Sequence, residues 1–316
     1  MSGVNTIIFG ATGGVGAFAA YAAKERGANL FLAVRDLTKA LPNVTLEQEK
    51  QDGLIRVQAD LTKPNTLIAA LTATKATRAF VYFTYGAPEH MKFSFEALKS
   101  AGVEFVVFLS TGGIRGDPRI PTPDEPIFWA HGQAEIHLEE TFGKKGYVAI
   151  RPAFFASNTL WWKEMIKAGD VRLPYPQATN DALAPKDIGQ VAGALLVQGP
   201  SVLDSFDGEY NAIRLYGPRL RTQREEALVI ARALGKEIKI TTVSEEEFIS
   251  FFVKLIPEPI ARLLVSDFKM RAGLVDDDGF YAESEFKKAS INIEKYSGRR
   301  PTEFEEWAED NKGLFV

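Results

Sequence analysis

Apolar positions in the first half of the chain follow two alternating rhythms. Short unbroken runs occupy residues 6–9, 29–34, 55–59, 79–83, 103–109 and 147–150. They are rich in β-branched and aromatic residues and predict strands. The near-continuous run at 103–109 reads as a strand buried on both faces, as in a parallel sheet. Helical spacing fills the gaps. Val15, Ala19 and Ala22 stand at i, i+4 and i+7, and Leu67, Ile68 and Leu71 share a second helix face. A third helix runs to Ser100, before Gly102, and a fourth from about Trp129 to Phe142. Lys24, Glu25 and Arg26 followed by Gly27 end the first helix, and Thr62 with Pro64 starts the second. Strands alternating with helices imply right-handed crossovers and an α/β fold, a doubly wound parallel sheet over residues 1–153.

After Phe155 the alternation becomes irregular. Residues 158–169 hold Trp161, Trp162 and Met165, and a proline-rich turn follows at 173–176. A helix opens at Ala184-Pro185 with Ile188, Val191 and Leu195 on its apolar face. Strands are predicted over 209–215 and 237–243, and a helix over 222–234 closed by Gly235. Ser244 with Glu247 reads as a capping box before Phe248, Phe251, Phe252 and Leu255 on one face. Asp276-Asp277-Asp278 lacks the spacing to glycine and distal glutamate of a calcium loop and reads as a solvated turn. Residues 154–316 are therefore expected to form a smaller α/β domain, mainly substrate-binding and interwoven with the first. The loop at 116–126, with Pro118, Pro121, Pro123 and Pro126, is a candidate rim of the active site.

The chemistry starts at Gly10, Gly13 and Gly16, spaced by three between the first strand and a helix of small residues. A plain turn would also use glycine. In this position the triplet predicts a dinucleotide-phosphate site, with Gly10, Thr12, Gly13, Gly14, Val15 and Gly16 around the pyrophosphate. Gly13 is expected to need the backbone freedom of glycine. At the end of the second strand, where NAD-binding sheets carry an acid for the ribose 2′-OH, stands Arg35, with Lys39 one turn on. A guanidinium there suits a 2′-phosphate. The alternative is an exposed arginine paired with Asp36. Asp60-Leu61 ends the third strand and is either an adenine contact or a simple turn.

Composition removes several classes. Of 316 residues 46% are hydrophobic and 25% charged, and the net charge of −4 with no basic cluster argues against nucleic acid. The absence of cysteine excludes disulfides, thiolate catalysis and cysteine-bound metals. His90, His131 and His137 are too scattered for a metal centre, even with Glu135 one turn from His131. No run approaches the roughly 18 apolar residues of a membrane span. The first strand begins close to Met1, so no signal peptide and a cytoplasmic location are expected. Asn43-Val44-Thr45 reads as an unused sequon.

The chain as a whole resembles the NmrA-like family, atypical members of the short-chain dehydrogenase/reductase superfamily. The resemblance rests on Gly10-Ala11-Thr12-Gly13-Gly14-Val15-Gly16, Val34-Arg35-Asp36, Ser110-Thr111-Gly112 and Gln133-Ala134-Glu135. Arg151-Pro152-Ala153-Phe154-Phe155 with Asn158, Asp187-Ile188-Gly189, and Ser297-Gly298-Arg299-Arg300-Pro301-Thr302 extend it to nearly the whole length. It implies a Rossmann-type fold with NADP(H) as cofactor, Thr84, Tyr85, Gln133, Pro152 and Phe155 adding contacts to those above. The family holds NADPH-dependent reductases of secondary metabolism, quinone reductases and silent regulators that sense NADP. Ordinary members of the superfamily use Tyr-x-x-x-Lys on the helix after strand five. Aligned on Ala134-Glu135, Trp129 takes the tyrosine place and Gln133 the lysine place, and none of the nine tyrosines has a lysine four residues later.

Proton donors must then be sought among His131, Tyr85 and Thr111, each of which also reads as capping or loop packing. Trp129, Phe155, Trp161, Trp162 and Met165 are candidates for an apolar substrate pocket, with core packing as the alternative for the Trp161/Met165 pair. The expected function is NADP(H)-dependent reduction of a hydrophobic small molecule, one needing little proton assistance, such as an iminium or an activated double bond. The alternative is a non-catalytic NADP sensor that binds a partner protein. A homodimer is left open.

Overall fold

Each apolar run of the N-terminal half becomes the strand it predicts, with ends shifted by two residues at most. The computed structural model describes residues 3–41, 45–206, 209–276 and 279–316. In chain order these are β1 (Asn5–Phe9), α1 (Gly14–Glu25), β2 (Asn29–Val34), α2 (Leu46–Gln51), β3 (Ile55–Gln58), α3 (Pro64–Thr74), β4 (Arg78–Tyr82), α4 (Lys92–Ser100), β5 (Phe105–Leu109), α5 (Pro126–Phe142) and β6 (Tyr147–Pro152). Then come α6 (Lys163–Ala168), β7 (Asp170–Leu173), β8 (Thr179–Asn180), α7 (Pro185–Gln198), β9 (Ala212–Leu215), β10 (Arg221–Thr222), α8 (Gln223–Ala233) and β11 (Lys239–Thr242). The chain closes with α9 (Glu245–Phe252), α10 (Glu258–Arg271), α11 (Glu283–Ser290), α12 (Asn292–Ser297) and α13 (Phe304–Asn311).

Seven parallel strands form one sheet in the order β3-β2-β1-β4-β5-β6-β9. The order reverses beside β1, which is the switch point where doubly wound sheets bind ligands at the carboxyl ends of their strands. The chain divides into two units. The first comprises Met1–Ala153, Pro185–Leu215 and Asn292–Arg300 and contains the sheet. The second comprises Phe154–Ala184, Tyr216–Ile291 and Pro301–Val316.

The core of the first unit joins Ile7, Phe9, Val81, Val106 and Phe108 of the strands to Leu67, Leu71, Phe95 and Leu138 of the helices. On the other sheet face α1 meets α7 at very short range. A Cβ on Gly189 would lie 2.4 Å from that of Phe18, and one on Gly193 would lie 2.6 Å from that of Ala22. The core of the second unit gathers Trp162, Ile166, Val171, Leu173, Ile230, Phe248, Phe252, Phe268 and Trp307. Its small sheets pair β7 with β11 in parallel and β8 with β10 antiparallel. No helix among the described residues is long and apolar enough to cross a membrane.

Several predicted boundaries move for local reasons. Helix α5 starts at Pro126, not Trp129, because proline fits the first turn, where its missing N–H has no partner to lose. The predicted strand over 209–215 is shortened to Ala212–Leu215: Glu209–Asn211 is a tight turn with Tyr210 at φ 54°. The Ser244 hydroxyl accepts from the Glu247 N–H at 3.2 Å, but Glu247 pairs with Arg172 at 2.8 Å and closes no box. Leu255 is half exposed rather than on the buried face. Helix α2, polar at nearly every position, has no apolar face to read and is capped by Thr45, which accepts from Gln48 N at 3.1 Å. Asn43 and Val44 of the sequon lie outside the described residues, as do Asp277 and Asp278 of the acidic turn.

Candidate functional site

The glycine turn follows β1 at the switch point. Gly10 has φ +71°, and a Cβ there would lie 2.6 Å from the Tyr82 ring, so conformation and packing both require glycine. The turn closes by Gly13 N donating to Gly10 O at 2.9 Å. Gly16 lets α1 press on it, since a Cβ would meet the Gly10 carbonyl at 2.3 Å. Gly13 is different and corrects the expectation for it. Its backbone is extended (φ −102°, ψ 166°), and the nearest atom to an added Cβ is 3.3 Å away. Its conformation is one that any residue adopts, and the contact with the Gly10 carbonyl is tight rather than forbidding. Gly13 and Gly14 are exposed, and α1 starts with no side-chain cap and no acid in its first turn. An uncapped first turn of this kind leaves N–H groups that favour an anion. Thr12 is half-buried, and Val15 is buried, leaving only its amide to offer.

At the end of β2, Arg35 and Lys39 are both exposed, and neither forms a salt bridge within the described residues. The Asp36 carboxylate accepts from Thr38 N (2.8 Å) and Thr38 Oγ1 (2.6 Å), so the alternative Arg35–Asp36 pair does not form. Asp60 is a turn residue: its carboxylate accepts from Thr62 N (2.9 Å) and Thr62 Oγ1 (2.8 Å). Leu61 is buried, its carbonyl accepting from Ser94 Oγ at 2.6 Å.

Aromatic side chains gather past β4 and on α5. The Phe83 and His131 rings lie 4.2 Å apart, Tyr85 stands edge-on to Phe83 at 4.9 Å and to His131 at 6.4 Å, and Trp129 meets His90 edge-on at 4.7 Å. Tyr85 is 66% exposed. The strand-to-helix loop carrying Tyr85 and His90 contains three successive left-handed residues, Glu89 (φ 48°), His90 (φ 47°) and Met91 (φ 74°). Such backbone costs about 1–3 kcal/mol per residue and gathers where function dictates geometry. Met91 is buried beneath it and its Sδ accepts from Thr84 N at 3.4 Å. Thr111 is half-buried and its Oγ1 accepts from Gly113 N at 3.4 Å. Gln133 is half-buried on α5, and Pro152 is buried with its carbonyl accepting from Gly112 N at 2.8 Å.

His131 holds its Nδ1 2.8 Å from the Ile127 carbonyl. A carbonyl only accepts, so Nδ1 carries the proton and Nε2 is left as an acceptor. Burial lowers its pKa to about 4, against the opposing pull of that carbonyl. The ring is neutral at pH 7, and an imidazolium proton donor is not available from it.

The sequence motif Ala134-Glu135 conceals a network read from no spacing rule. Glu135 is fully buried and receives Arg151 on two sides, Nε to Oε1 at 3.0 Å and Nη2 to Oε2 at 2.6 Å, while Ser110 Oγ donates to Oε1. Arg151 Nη1 donates to the carbonyls of Ile114 (3.1 Å) and Gly116 (2.9 Å). The network thus joins α5, β6 and the loop bearing Thr111. The signal available beforehand was a charged residue at a strand position flanked by apolar ones.

In the second unit Phe155 and Trp161 are half-buried, with Trp161 edge-on to Phe154 (6.0 Å) and Phe252 (5.1 Å). Trp162 and Met165, expected to line a pocket, are buried in the core, where Met165 Sδ accepts from Arg172 N at 3.4 Å. Here too a buried polar cluster went unread. Asp181 accepts from Phe154 N (2.9 Å), Gly217 N (2.8 Å) and Tyr281 Oη (2.6 Å). Arg271 Nη1 donates to Asn180 Oδ1 (2.8 Å), and Asn180 Nδ2 donates to Glu226 Oε2 (3.2 Å).

A parallel sheet in this order, with an open glycine turn at its switch point, defines a dinucleotide-binding protein. The NAD(P)H-binding family model matches residues 10–192. The chain is 34% identical over 316 residues to the nitrogen metabolite regulation-like protein bik4 of Gibberella fujikuroi, the match covering 95% of this chain and 94% of that protein. It is 26% identical over 224 residues to a (4-alkanoyl-5-oxo-2,5-dihydrofuran-3-yl)methyl phosphate reductase of Streptomyces griseus, covering 70% of each. The crystal structure of Citrobacter sp. triphenylmethane reductase complexed with NADP(H) matches with a TM-score of 0.69 at 17% identity, covering 97% of this chain and 99% of that one. The chain belongs to the NmrA-like group of the NAD(P)H-binding family, which has reductases among its members.

Proposed function

We propose that the protein is an NADP(H)-dependent reductase of a hydrophobic acceptor that needs no proton from a Tyr-Lys dyad. The observation that carries this reading is the setting of α5. Trp129 and Gln133 stand in the dyad's places, the Trp129 ring meets His90, and Phe83 and Tyr85 stand against a neutral His131 of the same helix. When bound, the cofactor supplies hydride from C4 of its nicotinamide. The open first turn of α1 holds the pyrophosphate, and Arg35 with Lys39 meets the 2′-phosphate. Phe83, Tyr85 and Trp129 exclude water and orient a flat acceptor. His131 Nε2 accepts a hydrogen bond from the acceptor, while the hydroxyls of Tyr85 and Thr111 are the groups left to donate one. A placed general acid contributes about 10²–10⁴-fold in rate, so its absence favours acceptors that are already electrophilic, such as an iminium or an activated double bond, over simple ketones.

A second reading, a silent NADP sensor, is favoured by the likeness to a relative named for nitrogen metabolite regulation. C4-deuterated NADPH offered with a panel of iminium ions, quinones, conjugated enals and ketones separates the two. Deuterium is expected in iminium or enal products by mass spectrometry. Deuterium in no product, with NADPH bound and partner affinity differing between NADP⁺ and NADPH, would replace the reductase by the sensor.

A further inference from the structure

Beneath the loop that follows β2 lies a buried ion pair that touches no candidate ligand side chain. Glu49 of α2 is 2% exposed and meets Arg56 of β3 at two points, Nε to Oε2 at 2.6 Å and Nη2 to Oε1 at 2.6 Å. The third guanidinium nitrogen, Nη1, donates to the carbonyls of Leu37 (2.8 Å) and Lys39 (2.7 Å). Glu49 Oε1 also accepts from Leu41 N at 3.2 Å. One guanidinium–carboxylate unit thus grips the main chain at residues 37, 39 and 41, while Asp36 grips Thr38 from the other side. The two cations carried by this loop, Arg35 and Lys39, stand exposed and without a salt bridge among the described residues.

We propose that the Arg56–Glu49 pair is a positioning device for cofactor selection: it holds the loop main chain in the form from which Arg35 and Lys39 take the 2′-phosphate. This rests on Arg35 being the phosphate contact. Every nitrogen of Arg56 is engaged with Glu49 or a loop carbonyl, so it does not reach the ligand itself. Its contribution is preorganisation. A tethered loop loses little freedom when a phosphate docks, whereas a slack one must be ordered at the moment of binding. The tether acts on the 2′-phosphate alone, so it separates NADPH from NADH. Lysine cannot replace Arg56, because a single ammonium lacks the planar fork that spans two carboxylate oxygens and two carbonyls.

The test uses the full chain in calorimetric titrations with NADPH, NADH, 2′,5′-ADP and 5′-ADP, with melting temperature measured alongside. Arg56→Lys and Glu49→Gln should each weaken NADPH and 2′,5′-ADP about tenfold and leave NADH and 5′-ADP within roughly twofold. Glu49→Gln keeps the shape of the pair and serves where Arg56→Lys fails to fold. Equal losses for both cofactors, or unchanged NADPH affinity in a folded variant, overturns the proposal. Arg35→Ala separates the two layers. If it removes selectivity while neither pair variant does, the positioning role falls and the phosphate contact stands. If it leaves selectivity intact, both fall.

Discussion

Each unit buries an arginine and a glutamate, and the two arrangements differ in what lies between them. In the first unit Arg151 meets Glu135 face to face, and the carboxylate receives three donors in all. In the second, Arg271 pairs with Asp267 and reaches Glu226 only through the side-chain amide of Asn180. Glu226 Oε1 and both polar atoms of the Gln223 amide, one turn away on α8, have no partner among the described residues. Desolvation, reinforced by the charge of Asp181, pushes the Glu226 carboxyl up to about 8, so it is mostly protonated at neutral pH. Glu135 has its cation in direct contact, whereas the nearest guanidinium linked to Glu226 lies across an amide. The first arrangement is a rigid joint between α5 and the loop bearing Thr111. The second ties the second unit to pH.

That difference is broken most strongly by titration. Glu226 has a folded pKa above its ordinary 4.5, so between about pH 4.5 and 8 the folded chain keeps a proton that the unfolded chain releases. Its stabilisation is complete below pH 4.5 and is lost as pH rises through 8, about 5 kcal/mol in all. Urea unfolding between pH 5 and 9, followed by tryptophan fluorescence, should show this slope, since Trp161, Trp162 and Trp307 lie in the second unit. Glu226→Gln should flatten it and be the more stable form above pH 8. An unchanged slope in that variant would move the pH dependence elsewhere.

Next in size is Arg151→Met, which strands Glu135 as a buried charge and should cost about 3–5 kcal/mol. Arg271→Met should cost clearly less, because Asp267 keeps partial exposure and Glu226 is already neutral. Equal losses in the two variants by chemical denaturation would erase the comparison. The smallest effect expected is at Thr222. Its hydroxyl accepts from Glu225 N at 3.2 Å and Glu225 Oε2 accepts from Thr222 N at 2.7 Å, a complete box at the start of the helix that presents Gln223 and Glu226. Thr222→Ala should lower stability by about 1 kcal/mol without altering the pH slope. A changed slope would show that the cap also sets the burial of Glu226.

The sheet was legible because buried parallel strands are written as continuous apolar runs, and the glycine turn because its spacing sits between such a run and a helix. Spacing treats Gly10, Gly13 and Gly16 alike. The structure separates them: the first and last are demanded by hard contacts within the protein, and Gly13 has an ordinary backbone and a milder contact. For Trp162 and Met165 the same apolar residues could build a pocket wall or a core, and only packing places them in the core. Both ionic networks escaped because their partners come together only in three dimensions. Glu135 and Arg151 are 16 residues apart, and Asn180 and Glu226 are 46. The tether was hidden because Glu49 lies in a helix with no apolar face and Arg56 on a separate strand.

The close seating of α7 on α1 also orders events during synthesis. Its two glycines fit a face made early in the chain, yet they lie about 170 residues downstream of it. At ~5–20 residues per second the ribosome needs roughly 9–35 s to cover that gap. Throughout it the Ala19/Ala22 side of α1 has no helix to receive it. The glycine turn leads into that same helix, so a fragment ending at residue 153 would carry the glycines without the helix that packs on α1.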